Sequence, residues 1–275
     1  MRLPAALAEE WSHEPDWLEA LPRLVAECAD MWNLELESPV DTPTSLVVPA
    51  GSAVLKLNAP SHFEAEHEGD ALDRWDGRGA VRLLARDDER RALLIERCVP
   101  GTRLWDAGVD ETSVVSGLLP RLQLEVGDAQ PFRLLADEAE RWADELPRAY
   151  EEAGEPFERP LLDFALDVYR SADRSATHLV NQDLHGGNIL SAHREPWLVI
   201  DPKPLVGERE LESSALLRNA DSVEWWLDVL EDVGFDRERA RGWGVAHNLA
   251  WSWDEDRRVW STGPLEETRR IFRAR

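Results

Sequence analysis

The chain has 275 residues, 43% of them hydrophobic, and sets 31 Lys and Arg against 55 Asp and Glu for a formal net charge of -24. That length buries a substantial core, and the ordinary apolar fraction excludes disordered and fibrous classes. So acidic a balance excludes nucleic-acid binding through phosphate contacts, and no apolar run approaches the roughly 20 residues of a bilayer span, so neither nucleic acid nor membrane is an expected partner.

Cys28 and Cys98 are the only cysteines and lie far apart, so neither a disulfide scaffold nor a zinc site is expected. The opening stretch MRLPAALAEEWSHE is acidic and broken by charge, unlike a secretory signal. A cytoplasmic location follows as the default. The acid is spread along the whole chain, which reads first as solubility and second as attraction for a polycationic substrate. Only two lysines occur, Lys56 and Lys203; every other basic side chain apart from His is Arg. A lysine kept where Arg is otherwise preferred suggests a need for a compact point charge.

In chain order, residues 3–31 carry an apolar stripe of Leu7, Trp11, Leu18, Leu21, Leu24, Val25 and Cys28, broken by Pro4, Pro15 and Pro22 into two or three short helices. Residues 33–96 read as short antiparallel strands at 34–36, 45–48, 53–57, 80–84 and 92–96, interrupted by a charged helix at 61–75 with Ser61 as its cap. In the third strand Val54 and Lys56 share one face. Lys56 reads either as a phosphate ligand or as an edge-strand guard, and the scarcity of lysine favours the first. On the helix Glu64 and Glu68 share a face while Glu66 points elsewhere; the plain alternative for each is a solvated surface. Residues 92–104 are a buried strand ending in a charged step and a Pro-Gly turn.

Helical periodicity then takes over at 111–126, despite Pro120, and at 134–150 and 160–170, and it returns at 211–219, 223–230 and 237–253. Six of the 13 Trp lie in the last segment: Trp225, Trp226, Trp243, Trp251, Trp253 and Trp260. Most suit core packing. Trp251 and Trp253, two apart, cannot both be buried on one helical face, so at least one is free for a pocket or surface.

The chemistry concentrates in HLVNQDLHGGNILSAHREPWLVIDPKP, residues 178–204. Asp183 and Asn188 stand five apart in a polar turn. Asp201 follows at the end of the apolar run WLVI. Phosphoryl transfer needs a carboxylate for the attacking hydroxyl and oxygen ligands for Mg²⁺, and an Asp, an Asn four intervening residues later and a separate Asp after a strand is the layout of the protein-kinase catalytic loop. Ordinary turn chemistry explains Asp183 and Asn188 alone. The Gly186–Gly187 break and the strand-end Asp201 weigh for function. The single-motif P-loop, GxxxxGK[ST], is nowhere in the chain.

QDLHGGNIL followed by WLVIDPKPLVGE resembles the aminoglycoside phosphotransferase family, and within it the streptomycin and hydroxyurea kinase subgroup, a branch of the protein-kinase-like fold. The resemblance implies an α+β, two-lobed fold with a cleft. Residues 1–98 would form a helical leader and a small antiparallel nucleotide-binding sheet with a helix. Residues 99–275 would form a larger, mainly helical lobe with the catalytic loop and acceptor site. It implies ATP and Mg²⁺, and transfer of the γ-phosphate to a hydroxyl of a small cationic or hydroxylated acceptor, foremost a streptomycin-type aminoglycoside. Another small acceptor (an amino sugar or hydroxyurea) and a non-catalytic nucleotide-binding regulator stay open.

By residue, the resemblance implies Asp183 as base, Asn188 and Asp201 as metal ligands, and Lys56 on the phosphates. It gives Lys56 to Glu68, with Glu64 second, and sets Val54 over the adenine. The crossover of Glu96, Cys98 and Val99 lies along the adenine edge. Lys203 contacts the transferring phosphoryl group or orders the loop, and Glu212, Arg218 and Asn219 lie toward the acceptor. Two departures stand out. Many relatives read His-Gly-Asp where this chain reads Asn181-Gln182-Asp183, and residues 37–45 cover the phosphates without a glycine.

Overall fold

In the computed structural model, which describes residues 2–127, 129–255 and 257–274, the chain forms two compact units. One comprises residues up to Thr102 together with Leu190–Asp201, the other Arg103–Ile189 together with residues from Pro202 onward.

The first unit opens with α1 (Ala5–Glu10) and α2 (Pro15–Trp32). Pro15 sits in the first turn of α2, where its missing N–H costs nothing. Pro22 lies inside α2 without ending it, so the expected break there is absent. Asn33 closes the helix at φ 51°. Trp17, Leu21, Val25 and Cys28 line its buried face and share a core with Leu46, Val48, Leu55 and Leu57.

Those last four belong to an antiparallel sheet of β1 (Ser45–Ala50), β2 (Ala53–Asn58), β3 (Leu83–Asp87) and β4 (Ala92–Glu96), in the order β1-β2-β4-β3. The expected strand at 34–36 does not form; Leu34 and Leu36 pack against the core from an irregular segment. Ala80 and Val81 are fully buried, but Ala80 bridges to Val199 in parallel, so β3 starts later than its apolar pattern suggests. The expected helix at 61–75 is a short turn, Phe63–Ala65, and then α3 (Glu68–Trp75). Ser61 caps nothing there; its N–H donates to Glu14. A further sheet joins β5 (Pro100–Arg103) with two later strands, β8 (Ile189–Ala192) and β9 (Trp197–Val199).

The second unit is mainly helical: α4 (Glu111–Leu122), α5 (Leu135–Glu152), α6 (Arg159–Arg170), α7 (Ser213–Asn219), α8 (Val223–Asp232), α9 (Arg237–Trp251) and α10 (Thr262–Arg273). α4 runs through Pro120 and starts on Asp110, whose side chain accepts the Thr112 N–H. A small antiparallel sheet orders β10 (Pro204–Gly207), β7 (His178–Asn181) and β6 (Leu124–Glu125). α9 is the central helix, packed by α6, α7 and α10, and a side chain at Gly244 would meet Leu217 Cδ1 at 2.7 Å. It ends at Trp251, short of the expected 253, because Trp253 enters the hairpin of β11 (Trp253–Asp254) and β12 (Val259–Trp260). Among the described residues no helix is long and apolar enough to cross a membrane.

Candidate active site

In the first unit, period-two alternation along β2 puts Lys56 and Asn58 on one face. Lys56 is 4% exposed, and its Nζ donates to both oxygens of Glu68 at 2.7 Å and to Asp201 Oδ1 at 2.6 Å. Glu68, fully buried at the start of α3, also accepts from Asn58 Nδ2 at 3.0 Å, and Asn58 Oδ1 accepts from Ser45 Oγ at 2.6 Å. Removing one partner of so buried a pair leaves an uncompensated charge. Glu68 is thus the acid that holds Lys56. Asp201 stands at φ 50°, a left-handed conformation uncommon outside glycine, which turns the chain sharply between β9 and β10.

Glu96, Cys98 and Val99 lie between β4 and β5. The Glu96 carboxylate pairs with Arg194 at 2.8 Å and accepts the Arg82 N–H. Burial raises its pKa, but those two donors outweigh it and hold it low. Burial pushes the Cys98 thiol up to about 12, leaving an unreactive sulfur. Val99 is exposed and Val54 half-buried.

In the second unit β7 runs into the loop that carries Asp183. Asn181 Oδ1 accepts the N–H of Asp183 at 3.1 Å and that of Lys203 at 3.0 Å, while the Gln182 N–H donates to the Lys203 carbonyl at 3.1 Å. Asn181 thereby ties the loop to the start of β10.

Asp183 Oδ2 accepts from Asn188 Nδ2 at 3.1 Å; its Oδ1 lies 3.3 Å from Arg218 Nη2 and 3.6 Å from His185 Nε2. Burial raises the Asp183 pKa, yet His185, Arg218 and Lys203 together hold it below the ordinary carboxylate value. The group is an anion at neutral pH. Asn188 donates its Nδ2 to both the carboxylate and the carbonyl of Asp183.

His185 stacks on Trp105, with ring centroids 4.8 Å apart and planes 13° from parallel, and its Nδ1 accepts the Gly187 N–H. The stack explains the two glycines: a Cβ on Gly186 would lie 2.4 Å from Trp105 Cδ1, and one on Gly187 2.8 Å from the same ring. Glu111, raised above the ordinary range by burial, bonds the Trp105 indole and the Gly186 N–H.

The residues expected at the acceptor divide. Glu212 has no exposed surface; its Oε1 accepts the Asn181 N–H at 3.2 Å, and burial pushes its carboxyl up to about 8, so it is uncharged at neutral pH. It lies beneath the loop. Asn219 is tied within its own helix, to the Ala215 carbonyl. Arg218 alone of the three reaches Asp183. Lys203 is buried, and its charge acts on Asp183. Trp225 and Trp251 are more than half exposed, whereas Trp226, Trp243 and Trp260 are buried.

Several site residues went unread in the sequence. Asn58 was within reach of the same two-residue alternation that found Lys56, and His185 stands two residues past Asp183. Asn248, which holds Arg218 together with Trp251, and His247, whose Nε2 lies 3.1 Å from Gln182 Oε1, carry no local signal; for Trp251 the two-residue spacing to Trp253 showed only that one of the pair is left off the buried face. Burial pushes the His247 imidazole down to about 3, so it is neutral.

Solved structures give the class. The chain is similar to a choline/ethanolamine kinase family protein from Mesorhizobium loti (TM-score 0.64, 13% identity, 87% of this chain and 88% of that one) and to the choline kinase LicA from Streptococcus pneumoniae (TM-score 0.63, 13% identity, 92% and 97%). These likenesses establish an α+β, protein-kinase-like fold. Residues 32–246 match the aminoglycoside/hydroxyurea antibiotic resistance kinase family. The chain is 39% identical to a hydroxyurea phosphotransferase of Kitasatospora aureofaciens, covering 86% of this chain and 74% of that protein, and 35% identical to a streptomycin 6-kinase of Streptomyces glaucescens, covering 90% and 89%. It belongs to that family of antibiotic resistance kinases, and is a phosphotransferase acting on hydroxyl groups.

Proposed function

We propose that the chain moves the γ-phosphate of ATP onto a hydroxyl of a streptomycin-type aminoglycoside in the cytoplasm, inactivating the antibiotic. The observation that carries the reading is Asp183: an anion held at both oxygens, by Asn188 at one and by Arg218 at the other. Coverage of about nine-tenths of both chains by the streptomycin kinase likeness supports this acceptor. The higher identity to a hydroxyurea phosphotransferase supports hydroxyurea as the second reading.

In this reading Lys56, held by Glu68, takes nucleotide phosphate oxygens, and Asp183 orients the acceptor hydroxyl and receives its proton. Val54 lines the adenine pocket, and the Glu96–Val99 backbone carries its hydrogen bonds. Lys203 steadies the loop and the transferring phosphoryl group. The oxygen donors Asp201 and Asn188 suit Mg²⁺, which is held by one or two carboxylates and the substrate phosphates and neutralises developing charge when bound. Because the transition state is loose, positioning and charge stabilisation outweigh base strength.

The test is an ATP-consumption assay with streptomycin, other aminocyclitols, amino sugars and hydroxyurea, run beside Asp183→Ala. Turnover with streptomycin, lost by roughly 10²- to 10⁴-fold in the variant, is the expected result. Higher kcat/KM with hydroxyurea would establish the second reading. No turnover with any acceptor, despite nucleotide binding, would make the chain a non-catalytic regulator.

A further inference from the structure

Arg218 sits at the C-terminal end of α7 with only 10% of its side chain exposed, and three side chains from two separate elements hold its guanidinium. Nη2 lies 3.3 Å from Asp183 Oδ1, in the loop after β7. Nη1 donates to Asn248 Oδ1 at 3.0 Å, one turn before the end of α9. Its Cζ stands 4.0 Å from the ring of Trp251, at the end of the same helix.

Asn248 is itself immobile. It is fully buried, and its Nδ2 donates to the carbonyls of Ser214 at 2.9 Å and Gly244 at 2.7 Å. The amide orientation is therefore set by two carbonyls, which leaves its oxygen facing Arg218. Trp251 is 53% exposed, so its ring is kept at the surface although α9 is otherwise buried along this stretch. A planar cation on an aromatic face, with a fixed acceptor at one nitrogen, has one orientation left, and a Lys cannot reproduce it.

The geometry points to Arg218 as the positioning residue of the base: a guanidinium clamped by Asn248 and Trp251 that fixes Asp183 Oδ1, while Asn188 fixes Oδ2. The inference rests on the reading of Asp183 as the base. It differs from the acceptor contact expected of Arg218 in the sequence, because the fork is turned onto Asp183 and Asn248 instead of a ligand. Misplacing a reacting group by about 1 Å costs roughly 100-fold in rate, and this is the scale expected when the clamp is removed.

The experiment compares wild type with Arg218→Ala, Arg218→Lys and Trp251→Ala, using the acceptor found in the assay above. The expected result for Arg218→Ala is a kcat roughly 100-fold lower, with KM for acceptor and ATP near wild type. Free guanidinium chloride at millimolar concentration, against sodium chloride at equal ionic strength, restores part of kcat. Arg218→Lys keeps the charge but stays impaired, and Trp251→Ala loses a smaller part of kcat.

A second readout needs no acceptor. Guanidinium at the same concentration raises the Tm of Arg218→Ala but not of wild type, because a ligand that binds the native state stabilises it. Wild-type kcat with a raised acceptor KM would return Arg218 to acceptor binding and overturn the inference. So would the absence of a guanidinium-specific Tm rise in Arg218→Ala. If wild type turns over no acceptor while the Tm rise is present, the clamp stands and the functional reading fails.

Discussion

At the scale of single residues, the first unit gathers one cation and two carboxylates, Lys56 with Glu68 and Asp201, and the second gathers one carboxylate and its donors around Asp183. Asp201→Ala tests the proposed metal role. The variant is expected to fold and to lose Mg²⁺-dependent nucleotide affinity in titration calorimetry; unchanged metal-dependent affinity would remove Asp201 from that role. Lys56, Asp183, Asn188 and Asp201 were legible in the sequence because rarity, spacing and a strand end each marked them. Glu212 was placed toward the acceptor by the resemblance alone, and only its burial beneath Asn181 shows where it points. The clamp on Arg218 was illegible, since Asn248 and Trp251 lie 30 or more positions away and nothing local ties them to it.

At the scale of elements, two predictions follow from how the loop that carries Asp183 is seated. Gly186→Ala drives a methyl into Trp105 and Glu111, and the overpacking is expected to cost about 1–3 kcal/mol, read as a lower Tm with loss of turnover. An unchanged Tm would mean that the Trp105–His185 stack is loose. Glu212 makes a pH prediction. Burial raises its native pKa from 4.5 to about 8, so above pH 4.5 the unfolded chain sheds a proton that the native chain keeps. Wild type therefore loses stability, relative to Glu212→Gln, as pH rises from about 4.5 to about 8, by roughly 3–5 kcal/mol in all, and the difference levels off above. The charges acting on Glu212 are Arg209 and Glu210 of its own turn. On packed elements Arg239 is taken by Glu208, His247 by Gln182 and Arg218 by Asp183 and Asn248; His178 lies at the far end of β7. A Tm difference that does not vary with pH would mean that the acid is ionised throughout. Helices were well read from their 3.6-residue stripes, Pro22 apart, which was expected to break α2 and does not. Pro22, Pro120 and Pro147 all lie inside helices, because burial of an amphipathic face outweighs a lost hydrogen bond. Strand limits were less legible: Ala80 and Val81 have the pattern of β3 but bond elsewhere.

At the scale of the whole molecule, a net charge of -24 brings self-repulsion that screening relieves. Raising sodium chloride from roughly 20 to 500 mM is expected to raise Tm by a few degrees while weakening the apparent affinity for a cationic acceptor. A Tm that falls with salt would mean that the many Arg–carboxylate pairs outweigh the repulsion. The division of the chain has a separate consequence. The first unit is discontinuous: after Thr102 it is resumed only at Leu190, and it ends with Asp201, the second carboxylate on Lys56. A ribosome must therefore release some 90 intervening residues before the first unit can close, and cutting the gene after Thr102 would leave β5 without its strand partner and Lys56 without half of its counter-charge. The ion cluster on Lys56 and the later half of the gene are inherited together, so neither unit can be exchanged between relatives as a single uninterrupted cassette.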